Sequence, residues 1–238
     1  MPNLMMENQA AGPVAGLDEA GRGPLAGPVV AASVLLEDPA RVRLPDGIND
    51  SKVLNAQARE TLFAELTRSG LVSWGIGIAS VDEIERINIL EASMLAMQRA
   101  VLALPTPPAL VLVDGNRLPD LDCAMRAVPG GDRKCLSVAA ASIVAKVTRD
   151  RIMDTLARAH PAFGWDTNRG YATQAHRAAI RRVGVTRHHR RSFGTVRDLL
   201  EATPYFLLSS VLTKNEKFTQ TRRIRRAEFT VPAVALSN

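Results

Sequence analysis

The sequence predicts a mixed α/β fold in which a five-stranded sheet is flanked by helices, with a helical extension on its C-terminal side. Three observations predict it. Strand patterns at 14–18 and 28–36 flank residues 19–27, whose three glycines and one proline are turn chemistry for an antiparallel pair. Residues 109–113 are wholly apolar and stop at Asp114-Gly115, as a strand buried on both faces does. Between them, Ile84, Ile87, Leu90, Met94, Met97 and Val101 recur at the three- or four-residue spacing of one helix face.

The elements follow in order. After the first two strands, Pro39, Pro45 and Gly47 mark a loop over 38–50. Asp50 or Ser51 offers an N-cap for a helix to about residue 69. Residues 74–79 alternate with glycine and read as a third strand, completing a meander. Ser80 and Glu83 have capping-box spacing and open one long helix, stopped by Pro105, Pro107 and Pro108. The strand at 109–113 precedes a fifth at 123–128, which closes at Pro129-Gly130-Gly131. Residues 137–159 are helical, with Ala139, Ala140 and Ala141 small enough for close packing. Further helices span 173–183 and start near 195. Residues 1–13 read as an N-terminal extension, 14–202 as one domain with its C-terminal helices, and 203–238 as a basic tail. That tail carries six Lys+Arg against two glutamates.

A chain of 238 residues buries a core without metal or disulfide staples. Hydrophobic residues at 46% and charged residues at 23% exclude wholesale disorder. No apolar run approaches the roughly 20 residues a membrane helix needs. Residues 1–12 lack the Lys or Arg of a signal peptide. The expectation is a soluble cytoplasmic protein with two thiols, Cys123 and Cys135, that fit no CxxC spacing. Charge is unevenly spread. Residues 1–132 hold 10 Lys+Arg against 17 Asp+Glu, a balance of −7, whereas 133–238 hold 20 against 7, a balance of +13. An acidic site facing a basic surface suits a polyanion.

Acidic residues stand where strands end: Asp18 and Glu19 after the first, Asp114 after the fourth, Asp132 after the fifth and its diglycine. Alone, each is more often a cap or turn former. Together at neighbouring strand ends they would repel and raise one another's pKa. Hard divalent cations, Mg²⁺ or Mn²⁺, relieve that conflict through oxygen ligands. Two such ions can activate a water and stabilise a leaving oxygen in phosphodiester hydrolysis. Adjacent strand residues point to opposite faces, so Asp18 and Glu19 share one site only where the strand ends or bulges. Gly21-Arg22-Gly23 is neither a dinucleotide fingerprint nor a Walker loop; its glycines suit close backbone approach to a ligand, or a plain turn.

Residues 16–32, beginning Gly16-Leu17-Asp18-Glu19-Ala20-Gly21-Arg22-Gly23, closely resemble the opening motif of the bacterial ribonuclease HII family, type 2 ribonucleases H. The resemblance continues at Asp50-Ser51-Lys52, Ile87-Asn88-Ile89-Leu90, Val113-Asp114-Gly115-Asn116 and Gly131-Asp132. It goes on through 139–150, Arg169-Gly170-Tyr171-Ala172-Thr173 and His189-Arg190-Arg191-Ser192-Phe193. Arg169 stands where many members have Lys, which keeps the charge. The resemblance implies a ribonuclease H-like fold and a monomeric endoribonuclease dependent on Mn²⁺ or Mg²⁺. Its implied partners are RNA–DNA hybrids and ribonucleotide-containing duplex DNA, incised 5′ of the ribonucleotide to leave 3′-hydroxyl and 5′-phosphate ends. Asp18, Glu19, Asp114 and Asp132 are the implied catalytic metal ligands. Gly21, Arg22 and Gly23 are implied to read the ribose 2′-hydroxyl through backbone atoms, and Tyr171 to pack on the adjacent deoxyribose. Lys52, Asn88, Ser142, Lys146 and Arg149 are the implied phosphate-side contacts.

Other residues read more plainly. His188 and His189, inside the basic stretch 187–191, suit a solvated turn better than a metal pair. Trp165 suits packing. The type 3 ribonucleases H tend to carry Gly-Lys-Gly where this chain has Gly21-Arg22-Gly23. A non-catalytic duplex binder needs the basic surface but not the four acids.

Overall fold

In the computed structural model, Val14–Ala20 (β1) and Val29–Leu36 (β2) pair antiparallel across the glycine-rich connection. Residues 1–68 and 70–201 are described; the basic tail over 203–238 lies outside them. Ser73–Ala79 (β3) pairs antiparallel with β2 and completes the meander. Leu110–Asp114 (β4) lies parallel to β1, and Ala124–Val128 (β5) parallel to β4. The order is β3-β2-β1-β4-β5, the expected five-stranded mixed sheet. β1 is longer than the sequence pattern suggested. β2 continues to pair with Asp18, Glu19 and Ala20 beyond the last β1–β4 pair, Leu17 with Val113.

Three helices cover the sheet: Ala56–Arg68 (α1), Val81–Leu102 (α2) and Leu136–Ala159 (α3). Strand period two sorts the side chains between them. Ala15, Leu17, Val111 and Val113 pack with Ala96 and Met97 of α2. On the other face, Val34 and Leu36 pack with Leu62 of α1 and Val144 of α3. Val14 and Leu112 meet Val138 at the start of α3. That approach is very close: a Cβ on Gly16 would stand 2.1 Å from the carbonyl carbon of Ser137. Glycine at 16 is what lets α3 lie on β1. The helical extension comprises Trp165–Asn168 (α4), Gln174–Val183 (α5) and Gly194–Glu201 (α6). Its core, with Trp165, Ile180 and Val196, packs on Leu25 and Ala26 from the β1–β2 connection. Among the described residues, no helix is long and apolar enough to cross a membrane.

Two helices depart from the sequence reading. The first starts at Ala56, not after Asp50 or Ser51. Asp50 instead closes a tight turn, its Oδ1 accepting from the Lys52 amide at 2.9 Å, and Asn55 takes the capping role by accepting from the Ala58 amide at 2.9 Å. The second opens with the expected Ser80–Glu83 capping box but breaks at Asn88, which has φ 67°. Asn88 Oδ1 accepts from the amides of Leu90 and Glu91 and so caps the second half. The apolar spacing carries on across the break, which is why periodicity shows one helix.

Residues 1–13, read from sequence as an extension, are tied to α3. The Leu136 amide donates to the Asn3 carbonyl at 3.1 Å. Glu7 is buried, and its Oε1 accepts from the Ser137 amide at 2.9 Å and hydroxyl at 2.8 Å. Cys135, the N-cap of α3, supplies no side-chain cap bond. Glu7 caps the helix from a distant stretch of chain, where a carboxylate also favours the positive helix end. Glu7→Ala is expected to cost about 1–2 kcal/mol in urea unfolding with the m-value unchanged. An unaltered midpoint would contradict this role.

Candidate active site

The parallel register of β1 and β4 carries Asp18 beside Asp114, the last residue of β4, with the same side-chain phase. Asp18 shares the phase of Val14 and Gly16, and so the α3 face; Glu19 shares the phase of Leu17, and so the α2 face. The strand neither ends nor bulges between them, because both still pair with β2. Asp114 links the two faces. It is an electrostatic neighbour of both Asp18 and Glu19, and of Asp132. Its own carboxylate is oriented by the Gly131 amide, which donates to Oδ1 at 2.7 Å. Asp132 is buried in a 3-10 turn, Gly131–Arg133, just before α3.

The field of this cluster is strongly negative. Burial, then Glu19 and Asp114, raise the Asp18 carboxyl well above its ordinary value, against the Glu19 amide that donates to Oδ1 at 2.7 Å. Burial raises Glu19 as well; Arg22, 3.3 Å away, opposes that, and Asp114 adds to it. Burial raises Asp132, followed by Asp50 and Asp114, with Lys52 opposing. Lys52 Nζ stands 4.0 Å from Asp132 Oδ2. Partial burial lowers the Lys52 pKa, yet the fields of Asp18, Asp50, Asp132 and Asp114 outweigh it and raise the ammonium above its usual value. A cavity of about 210 Å³ opens beside Glu19 and Asp114, lined also by Arg22, Leu90, Met94 and Asn116.

Asp18, Glu19, Asp114 and Asp132 form an all-oxygen donor set, the chemistry that suits Mg²⁺ or Mn²⁺. Among the described residues, no three His, Cys, Asp or Glu side chains are already gathered around one point as ligands. The fit rests on the donor types and on buried like charges whose nearest cations, Lys52, Arg22 and Arg133, sit at the rim. Sequence reasoning did not include Asp50 in this group. Asp50 is buried, and its carboxyl is among the groups that raise Asp132. Its place in the Asp50-Ser51-Lys52 block was the available sign.

The loop after β1 bears Gly21, Arg22 and Gly23. Gly21 has φ 99°, and a Cβ there would strike Arg149 Nε at 2.0 Å. Tyr171 is about half exposed, its ring edge 3.6 Å from where a Gly23 Cβ would lie. Asn88 is exposed at the α2 break. Lys146 is tied to Asp150 at 2.7 Å.

Two implied phosphate contacts are placed otherwise. Arg149 is 1% exposed and donates to the carbonyls of Pro28, Arg169 and Ala26, each at 3.1 Å. Ser142 is buried; its hydroxyl donates to the Ala139 carbonyl and accepts from the Ser51 amide. Both hold loops from beneath and are not free to meet a phosphate. The solvated basic turn expected at His188 and His189 also needs correction. His189 and Arg190 are fully buried under the same loop, because their polar atoms find partners there.

The raised carboxyls set a pH dependence. In divalent-free buffer the folded protein keeps protons that the unfolded chain releases. Stability therefore falls as pH rises from the ordinary carboxylate range through the raised values. Asp18→Asn is expected to raise the metal-free Tm by a few degrees at neutral pH and to shrink the further rise that Mn²⁺ gives the unmutated chain. Calorimetry with and without EDTA measures both; a lower metal-free Tm would contradict the electrostatic reading.

Residues 15–196 match the family model of Ribonuclease HII. The chain is 60% identical over 203 residues to a ribonuclease HII of Granulibacter bethesdensis, covering 84% of this chain and 92% of that one. It is 57% identical over 188 residues to one of Paracoccus denitrificans, covering 79% and 87%. Among solved structures, ribonuclease H2 from Pyrococcus horikoshii OT3 superposes with a TM-score of 0.67 at 30% identity, covering 79% of this chain and 97% of that one. Bst-RNase HIII in complex with Mn²⁺ shares the fold, with a TM-score of 0.66 at 21% identity over 86% of this chain and 75% of that one. With its sheet order, its family match and relatives of this similarity, the chain belongs to the ribonuclease HII family of endoribonucleases.

Proposed function

We propose that this endoribonuclease hydrolyses the RNA strand of RNA–DNA hybrids and incises 5′ of ribonucleotides embedded in duplex DNA, using two divalent cations and leaving 3′-hydroxyl and 5′-phosphate ends. The observation that carries the reading is the set of four acids brought by β1, β4 and the turn before α3 into one mutual field, beside a glycine loop. Mg²⁺ or Mn²⁺, when bound, lowers the pKa of an attacking water and neutralises charge developing on the phosphate and leaving oxygen. Asp18, Glu19, Asp114 and Asp132 would hold the ions. Asp114 can serve both faces of the sheet edge, and the Gly131 amide keeps its carboxylate turned. Lys52, largely exposed at its head, is placed to meet a scissile-strand phosphate from the rim of the cluster.

Substrate choice falls to the loop. The amides of Arg22 and Gly23 enter none of the hydrogen bonds found among the described residues, while the Gly21 and Arg22 carbonyls are turned inward to Arg190. Backbone groups so turned suit a ribose 2′-hydroxyl, which separates RNA from DNA. Tyr171, exposed beside Gly23, offers a flat face to the neighbouring deoxyribose. The reading places the enzyme in the cytoplasm, in keeping with Cys123 and Cys135 as free thiols.

Product mapping on a DNA duplex carrying one ribonucleotide tests this directly. Asp114→Asn is expected to lower the Mg²⁺-dependent rate roughly 100-fold or more. Tyr171→Ala is expected to weaken cleavage at the lone ribonucleotide far more than Mn²⁺ binding. Equal cutting of an all-DNA duplex would refute ribose sensing, and normal cleavage by Asp114→Asn would refute the metal assignment.

A further inference from the structure

Arg190 is 0% exposed, yet among the described residues its hydrogen bonds go to no carboxylate. It spends its guanidinium on backbone carbonyls: Gly27 from Nε at 3.0 Å, Arg22 at 2.9 Å and Gly21 at 2.6 Å. These carbonyls belong to both ends of the β1–β2 connection. Burying a cation this way is costly unless its donors are well used. Arg149 adds a second buried guanidinium on Ala26 and Pro28. The connection is thereby held open by five carbonyls turned toward two side chains.

The neighbouring residue reaches the other substrate loop. His189 pairs with Ala26 in an antiparallel bridge, flanked by Gly27 amide to His188 carbonyl and Arg190 amide to Leu25 carbonyl. Its ring forms a directed chain. The Thr186 amide donates to His189 Nδ1 at 2.9 Å, so the His189 proton sits on Nε2 and points at His176 Nε2, 3.2 Å away. Trp165 Nε1, a donor only, also gives to His176 Nε2 at 3.0 Å. The His176 proton is then on Nδ1 and goes to the Tyr171 carbonyl at 2.9 Å. Burial, with His176 adding to it, pushes His189 down to about 3, so the chain stays neutral at ordinary pH. The Leu25 amide, bonded to the Gly170 carbonyl at 2.8 Å, ties the two loops directly.

We propose that His189 and Arg190 are positioning residues that fix the spacing between the Gly21-Arg22-Gly23 backbone and the Tyr171 ring, and so set preference for a ribonucleotide followed by deoxyribose over continuous hybrid. Neither touches the substrate. Arg190 holds one loop through its carbonyls, and His189 holds the other through His176. This rests on the function proposed above, in which those two loops read the two sugars. A lysine at 190 keeps a charge but lacks the fork that serves three carbonyls at once.

The test compares kcat/KM on a single-ribonucleotide duplex with kcat/KM on an RNA–DNA hybrid, alongside Mn²⁺ affinity and Tm. Arg190→Lys is expected to lower the ratio of the two about tenfold with Mn²⁺ affinity unchanged. Because a buried arginine is a demanding site, a second pair of variants leaves it intact. His189→Gln puts its amide near Nε2 and can still donate to His176, whereas His189→Asn puts its amide near Nδ1 and cannot. The ratio is expected to fall further for His189→Asn than for His189→Gln. A purely structural role would lower both substrates together, in step with Tm. That result, or an equal ratio for the two His189 variants, would overturn the proposal. Failure of the unmutated enzyme to cut either substrate would instead overturn the function on which it rests.

Discussion

The parallel pairing of β1 with β4 governs this molecule. It sets Asp18 beside Asp114 at the end of β4, and neighbouring groups answer the repulsion that results. Asp114 is turned by the Gly131 amide. Lys52 and Arg133 stand at the rim of Asp132. Glu19 is separated from Asp18 by the strand's own alternation and leans on Arg22. Asp18, Glu19 and Asp132 remain raised despite these partners. A group of carboxylates stored in this state is poised for cations, since binding them removes an existing penalty. Stability is given up at the site and recovered in the alanine- and valine-rich packing of α2 and α3 on the sheet.

The second constraint is the loop that leaves β1. A chain that presents amides outward must satisfy its carbonyls inward. Here buried guanidinium groups do that, from α3 through Arg149 and from the segment before α6 through Arg190. The C-terminal helical layer is therefore part of the site, because its Arg190 shapes a loop that lies more than 160 residues earlier in the chain.

Much of the fold is legible in the sequence because its cues are local. Glycine-rich turn chemistry gives the β1–β2 pair, the apolar run before Asp114 gives β4, and the Ser80–Glu83 box gives the start of α2. The strand-end acids are visible for the same reason. What stays hidden depends on long-range partners. Asn88 breaks α2 without disturbing its apolar spacing. Glu7 caps a helix that begins 129 residues later, so no window of sequence contains both. Arg149, Ser142, His189 and Arg190 look like surface chemistry in a basic sequence. Arg149 and Arg190 are buried against carbonyls that only the folded loop turns toward them, Ser142 beneath the Ser51 amide, and His189 against Thr186 and His176. Asp50 was read as a helix cap, because an aspartate before a helical pattern has the same appearance whether or not another carboxylate approaches it.

The central claim is that Asp18, Glu19 and Asp132, gathered around Asp114, are held above their ordinary pKa in a cluster suited to divalent cations. Calorimetric titration of Mn²⁺ in buffers of different ionisation enthalpy measures the protons released on binding. Net release is predicted at mildly acidic pH, fading as pH rises through the raised carboxyl range. Binding with no proton release across that range would contradict it.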